Sequence, residues 1–153
     1  MTPTKSSRQA TAQELMFVSG YVHRLLRHEA RNLNIRWTAL MVLKDLQVLG
    51  PVSQRILADI EQVSAPTMTV LIQQMEQQGW IQRAGGDDAR VSLVSLTAVG
   101  RKELRRAGQL LRQRLEAELA GVPAGVLDDL QGNLAVLNRT IMTRLHGGAE
   151  DTG

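Results

Sequence analysis

The sequence predicts a mainly helical chain with one small β-hairpin, an α+β architecture. Three observations lead there. Apolar residues make up 43% of the chain but aromatics only 3%, so the core is aliphatic, which suits packed helices better than a sheet-rich fold. Apolar residues also recur at three- and four-residue steps along most of the chain, the helical period. One segment breaks that period. Between Arg83 and Thr97, RAGGDDARVSLVSLT places Gly-Gly-Asp-Asp before an extended apolar run, the pattern of a turn entering a strand. At 153 residues, the chain is long enough for a single domain with a sizeable core.

Residues 1–10 are polar and rich in Thr and Ser, and are expected to be a disordered tail. A single domain is expected over 11–146. Its first helix spans about 11–34, with Met16, Val22, Leu25, Leu26 and Leu33 as the apolar positions and Asn32 and Asn34 near its end. Arg36 to Leu49 reads as a second helix, with Leu40, Leu43 and Leu46 on one stripe and Gly50-Pro51 as its stop. Val52 fits one short strand pairing. Ser53 is placed to cap a third helix bearing Ile56, Leu57 and Ile60. After the turn Glu61-Gln62-Val63, a fourth helix opens at Ser64, with Pro66 in its first turn, where a missing N–H costs little. Met68, Leu71, Ile72 and Met75 form its buried stripe and Gly79 ends it.

Residues 80–84 and 91–96 read as the two hairpin strands. Thr97 caps a long fifth helix reaching about Ala120, and Gly121-Val122-Pro123 interrupts the chain. A sixth helix follows, with Leu127, Leu130, Leu134, Leu137, Ile141 and Leu145 at near-heptad spacing. Residues 147–153 are expected to be a second disordered tail.

Composition narrows the function classes. There is no cysteine, which removes disulfides, thiol switches and thiolate metal sites. No apolar run approaches the roughly 20 residues of a membrane span, and residues 1–15 carry no apolar signal core; a cytoplasmic protein without a membrane partner is expected. His23, His28 and His146 lack metal spacing, and neither Gly-x-Ser-x-Gly nor a phosphate-cradling glycine loop precedes a helix. No enzyme activity, metal or cofactor is expected. The net charge of +3 and pI near 9.9 permit a nucleic-acid partner without requiring one.

The order of the third helix, a three-residue turn, the fourth helix and the hairpin is the layout of a winged helix–turn–helix, placed at about 36–100. Such a helix fits the DNA major groove and reads base edges. On the fourth helix, the face opposite the buried stripe is centred on Pro66, Val70, Gln73 and Gln77, with Thr67, Thr69 and Gln74 beside it. Thr and Gln hydrogen-bond bases, and Val and Thr methyls meet thymine methyls. An ordinary amphipathic helix with an uncharged polar face has the same pattern. Arg90 is placed to enter a narrow minor groove, with Asp88 two residues earlier to hold its guanidinium; a solvated surface ion pair is the plain alternative. The arginines at 101, 105 and 106 with Lys102 read as a solvated helix face.

The stretch GWIQRAGGDDARVSLVSLTAVGRKEL resembles the MarR family of bacterial transcriptional regulators. The matching residues are Met75-Glu76, Gly79, Arg83, Asp88-Ala89-Arg90 and Leu96-Thr97-Ala98-Val99-Gly100, and the helical order on both sides also fits. The resemblance implies that Arg90 is the minor-groove arginine, that Asp88 positions it and that Arg83 braces the wing. It places Ser64, Thr67, Thr69, Val70 and Gln73 on the recognition helix. The chain departs from the family in having no arginine on that helix, so phosphate contacts are assigned to Arg90, to helix N-termini and to outlying cations such as Arg55, Lys44 and Arg36.

The resemblance also implies a homodimer built from the terminal helices, about 11–34 and 98–146. The sixth helix's apolar stripe independently calls for a cover, either a partner subunit or the first and fifth helices of the same chain. A two-fold dimer reads a near-palindromic operator in double-stranded DNA, with half-sites about 34–36 Å apart. A small-molecule effector is a further implied partner, with Tyr21, His23, Arg27, Trp37 and Met41 as candidate linings. The expected function is a ligand-modulated repressor. The alternative is a winged-helix protein–protein interaction module, which the uncharged reading face would equally serve.

Overall fold

The computed structural model describes residues 5–85 and 92–147. Its elements are α1 (Lys5–Asn32), α2 (Trp37–Leu49), β1 (Val52–Ser53), α3 (Gln54–Ile60), α4 (Ala65–Gln77), β2 (Ile81–Gly85), β3 (Ser92–Leu96), α5 (Ala98–Glu118) and α6 (Ala124–Gly147). The chain divides into two compact units, Met1–Leu115 and Glu116–Gly153. The predicted mainly helical, winged architecture is the observed one.

In the first unit, α2 runs through the middle of the core. Its expected stripe is buried: Leu40 and Leu46 are each 3% exposed and Leu43 is 0%. These side chains pack with Ala30 and Ile35, Leu57 of α3, the stripe Met68/Leu71/Ile72/Met75 of α4, Val94 and Leu96 of β3, and Ala107 and Leu111 of α5. A buried leucine or isoleucine stabilises by roughly 1.5–3 kcal/mol, so this aliphatic cluster is the main source of stability.

Helix ends follow local chemistry. Gly50 (φ 75°) and Gly79 (φ 72°) close α2 and α4 in the left-handed region, where only glycine avoids a Cβ penalty. Ser53 caps α3 by accepting the Ile56 N–H. Asn34 (φ 57°) turns the chain after α1, an αL position that asparagine tolerates.

The sheet has the order β1-β3-β2, with both pairings antiparallel. Val52 pairs with Val94, as its single apolar strand residue predicts, and β2 pairs in register from Ile81 with Leu96 to Gly85 with Ser92. The small sheet thereby joins the helix–turn–helix entry to the hairpin.

Several boundaries differ from expectation. The segment read as an N-terminal tail is helical from Lys5. It holds no Gly or Pro between Lys5 and Val18, and Thr11 Oγ1 donates to the Ser7 carbonyl at 2.9 Å, so a nucleated helix extends through polar residues at little cost. Met16 is 74% exposed; helical spacing alone did not reveal that α1 contributes a fully buried residue only at Ala30. α5 stops at Glu118 rather than Ala120, because Leu119 and Ala120 bond to Glu116 and Ala117 three residues back, a tightened last turn. In the second unit, α6 starts after Pro123, whose carbonyl accepts from Val126 and Leu127. It reaches Gly147, and the rest of the proposed C-terminal tail lies outside the described residues.

Candidate nucleic-acid interface

α4 is built to present one face. Ser64 is its N-cap: Oγ accepts the Thr67 N–H at 3.3 Å and lies 2.7 Å from Thr67 Oγ1. Pro66 occupies the first turn. The four residues of the buried stripe fix the helix rotation, with Met68 and Ile72 at 0% exposure. Pro66, Val70, Gln73 and Gln77 are then all exposed, as the 3.6-residue period requires.

Thr69 is placed differently from its neighbours. It is half-buried, its hydroxyl accepts from Gln54 Nε2 at 2.6 Å and donates to the Ala65 carbonyl at 2.9 Å. It braces α3 against α4 rather than standing free on the outer face. The sequence signal for this was weak, since Gln54 lies fifteen positions away.

The hairpin is anchored to the same helix. Arg83 on β2 donates through Nε to Glu76 Oε2 at 3.1 Å. From Ser64 to Gly85 the charged residues are Glu76 and Arg83 alone, so this surface is close to neutral. At the hairpin's base, Thr97 Oγ1 lies 2.6 Å from the Gly79 carbonyl oxygen and 2.9 Å from that of Trp80, and accepts the Gly100 N–H at 3.0 Å. One hydroxyl thus joins the end of α4, the start of β2 and the first turn of α5. Gly100 is needed there, because a Cβ would overlap the Trp80 carbonyl oxygen. Asp88 and Arg90 lie outside the described residues.

Two further features flank α4. Arg55, exposed on α3, lines a cavity of about 350 Å³ with Gln54, Asp59, Val63 and Ala65, beside the N-terminus of α4. At the C-terminal end of α3, burial pushes the Glu61 carboxyl up to about 7, helped by a hydrogen bond with Asp45 and by its charge and opposed by Lys44. Asp45 keeps one buried carboxylate oxygen without a hydrogen-bond partner. Sequence reading treated Glu61 only as part of a turn, and nothing in its neighbours marks it as half of an acid pair across α2 and α3.

Of the candidate effector linings, Arg27 and Trp37 share a cavity of about 320 Å³ with Arg31, Arg36 and Thr38. His23 stacks edge-on against Trp37, ring centres 5.2 Å apart. Tyr21 is exposed, and Met41 packs against the core. Among the described residues there is no cluster of three metal-ligating side chains, and no helix is long and apolar enough to cross a membrane.

The chain is similar to known proteins in both sequence and fold. Residues 35–91 match the MarR family model. The HTH-type transcriptional regulator YwoH of Bacillus subtilis is 40% identical over 62 residues, which are 40% of this chain and 45% of that protein; the chain thus spans under half the length of this curated relative. Among solved structures, wild-type apo MarR from E. coli superposes with a TM-score of 0.74 at 22% identity, over 90% of this chain and 97% of that one. A point mutant of S. aureus MepR bound to an oligodeoxyribonucleotide superposes with a TM-score of 0.61 at 16% identity, over 86% and 97%. Residues 35–91 thus resemble the MarR family, and the fold is the winged-helix fold that these solved structures share.

Proposed function

We propose that this protein is a cytoplasmic, dimeric repressor that binds a near-palindromic operator and responds to a small-molecule effector. The observation that carries the reading is the anchoring of the hairpin on α4. Arg83–Glu76 and the Thr97 hydroxyl hold helix and hairpin together, so that α4 in a major groove would deliver the β2–β3 connection, and Arg90 within it, to the adjoining minor groove. A fold shared with an oligodeoxyribonucleotide-bound MepR supports it. Ser64, Pro66, Thr67, Val70 and Gln73 are the base-facing candidates, Arg55 a phosphate contact, and Asp88 the residue that positions Arg90.

Dimerisation is supported by the apolar residues each outer helix leaves exposed. On α1 these are Met16, Phe17, Val18 and Tyr21; on α6 they include Leu130, Leu134 and Ile141. Runs of this kind in a small protein mark association surfaces. Effector binding is supported by the cavity of Arg27, Arg31, Arg36 and Trp37, whose guanidinium groups and indole suit a planar anion.

The neutral surface of α4 favours a second reading, a winged helix that binds protein instead of DNA. Salt dependence separates the two. The regulator reading expects selective binding to a promoter fragment, with log affinity falling steeply against log salt, and Arg90→Ala weakening that binding while fold and dimer persist. Absence of selective binding at low salt supports the protein-binding module, and unchanged affinity of Arg90→Ala removes the wing from the interface.

A further inference from the structure

The hydrogen bonds of α4 reveal what its outer face has left to offer a base. The hydroxyls of Ser64 and Thr67 bond each other, and Ser64 Oγ also accepts the Thr67 N–H. The Thr69 hydroxyl is taken up by Gln54 and Ala65. Glu76, the one charged residue of α4, is bound to Arg83. The hydroxyls of Ser64, Thr67 and Thr69 and the α4 carboxylate are therefore already partnered within the protein. Val70 remains, half-exposed at 50% on a face where a polar residue would ordinarily stand, with Pro66 one turn before it and Gln73 and Gln77 after it. The Gln73 amide has no hydrogen-bond partner among the described residues.

These leftovers match one pair of bases. Guanine is read chiefly by Arg or Lys, bidentate to O6 and N7, and α4 carries neither. A Gln amide matches adenine N6 and N7, and apolar side chains match the thymine C5-methyl. Resting on the DNA-binding reading above, we infer that α4 selects A·T pairs, with Val70 packed on a thymine methyl and Gln73 on the adenine edge. No α4 side chain takes a guanine. Specificity then comes from apolar contact and one amide, in place of charge.

The test uses the full-length protein and a random duplex library, from which bound duplexes are enriched. In the enriched duplexes, replacing thymines one at a time by deoxyuridine removes only the methyl group. Affinity is expected to fall about fourfold at the contacted thymine, the value for one methyl-sized group returned to water. Val70→Ala, a change at an exposed site, is expected to abolish that fall. Replacing half-site guanines by 7-deazaguanine is expected to leave affinity unchanged. Enriched duplexes that tolerate deoxyuridine throughout, or lose affinity with 7-deazaguanine, overturn the inference and leave DNA binding standing. If no duplex is enriched, the DNA-binding reading itself falls, and this inference with it.

Discussion

Arg83 Nε and Glu76 Oε2 lie 3.1 Å apart, joining the first hairpin strand to the last turn of α4. Both side chains are about one-third exposed, so the pair contributes under about 1 kcal/mol to stability. Besides tying the hairpin to α4, it sets the electrostatic balance of a surface proposed to face phosphates.

Removing either partner should therefore leave the fold intact and shift DNA binding in opposite ways. Arg83→Ala leaves Glu76 as an unmatched anion and should weaken binding, whereas Glu76→Gln frees a cation and should not. Both variants should unfold within about 1 kcal/mol of the wild type. Titration of a labelled duplex at two salt concentrations checks this; equal losses in both variants would show that the geometry of the tie matters and its charge does not.

Thr97 should matter more to stability. Thr97→Val keeps the shape but removes the hydroxyl that bonds at the Gly79 and Trp80 carbonyls and caps α5. Loss of a cap and of these bonds should cost about 1–3 kcal/mol, read from urea denaturation midpoints. A change under about 0.5 kcal/mol would mean that water replaces the hydroxyl fully.

Gly100→Ala tests the same junction by volume. The added methyl meets the Trp80 carbonyl oxygen, and Leu96 Cδ1 is 2.8 Å away. A backbone atom cannot rotate aside as a side chain does, so a loss of at least about 2 kcal/mol is expected. Thermal unfolding of the purified variant measures it, and a wild-type midpoint would refute the close approach of α5 to β2.

The Glu61–Asp45 pair sets a pH dependence. Glu61 has its folded pKa raised from 4.5 to about 7, so the folded state holds a proton that the unfolded state has released. Stability is then fully present below about pH 4.5 and is lost as pH rises through about 7. Glu61→Gln removes this loss and should gain about 1–2 kcal/mol relative to wild type at pH 8, a value discounted because the group is only partly buried. At pH 4, below the unfolded-state value, the two proteins should be nearly equal. Urea unfolding at both pH values decides it: a variant no more stable than wild type at pH 8 would show that the pair is relaxed by solvent.

Much of the fold was legible before the structure. The α4 stripe, the glycine stops at Gly50 and Gly79 and the Ser53, Ser64 and Thr97 caps all arise from chemistry within a few residues. The outer face of α4 was legible for the same reason, since a buried stripe at helical period leaves only one opposite face. Met16 differs from expectation because burial depends on what lies across from a helix, which spacing does not report; the polar start of α1 differs because a nucleated helix extends through residues that composition alone marks as a tail.

The sequence by itself determined an aliphatic helical fold, a helix–turn–helix followed by a hairpin, and a fourth helix without a cation. Only the tertiary structure decided which polar groups on that helix remain available. Thr69 is consumed by Gln54, Arg83 by Glu76, and Glu61 is paired with Asp45. Each of these pairs joins residues seven to sixteen positions apart in sequence, on separate elements. Packing brings such partners together, and once together they satisfy each other because a polar group withdrawn from water is costly to leave unpaired.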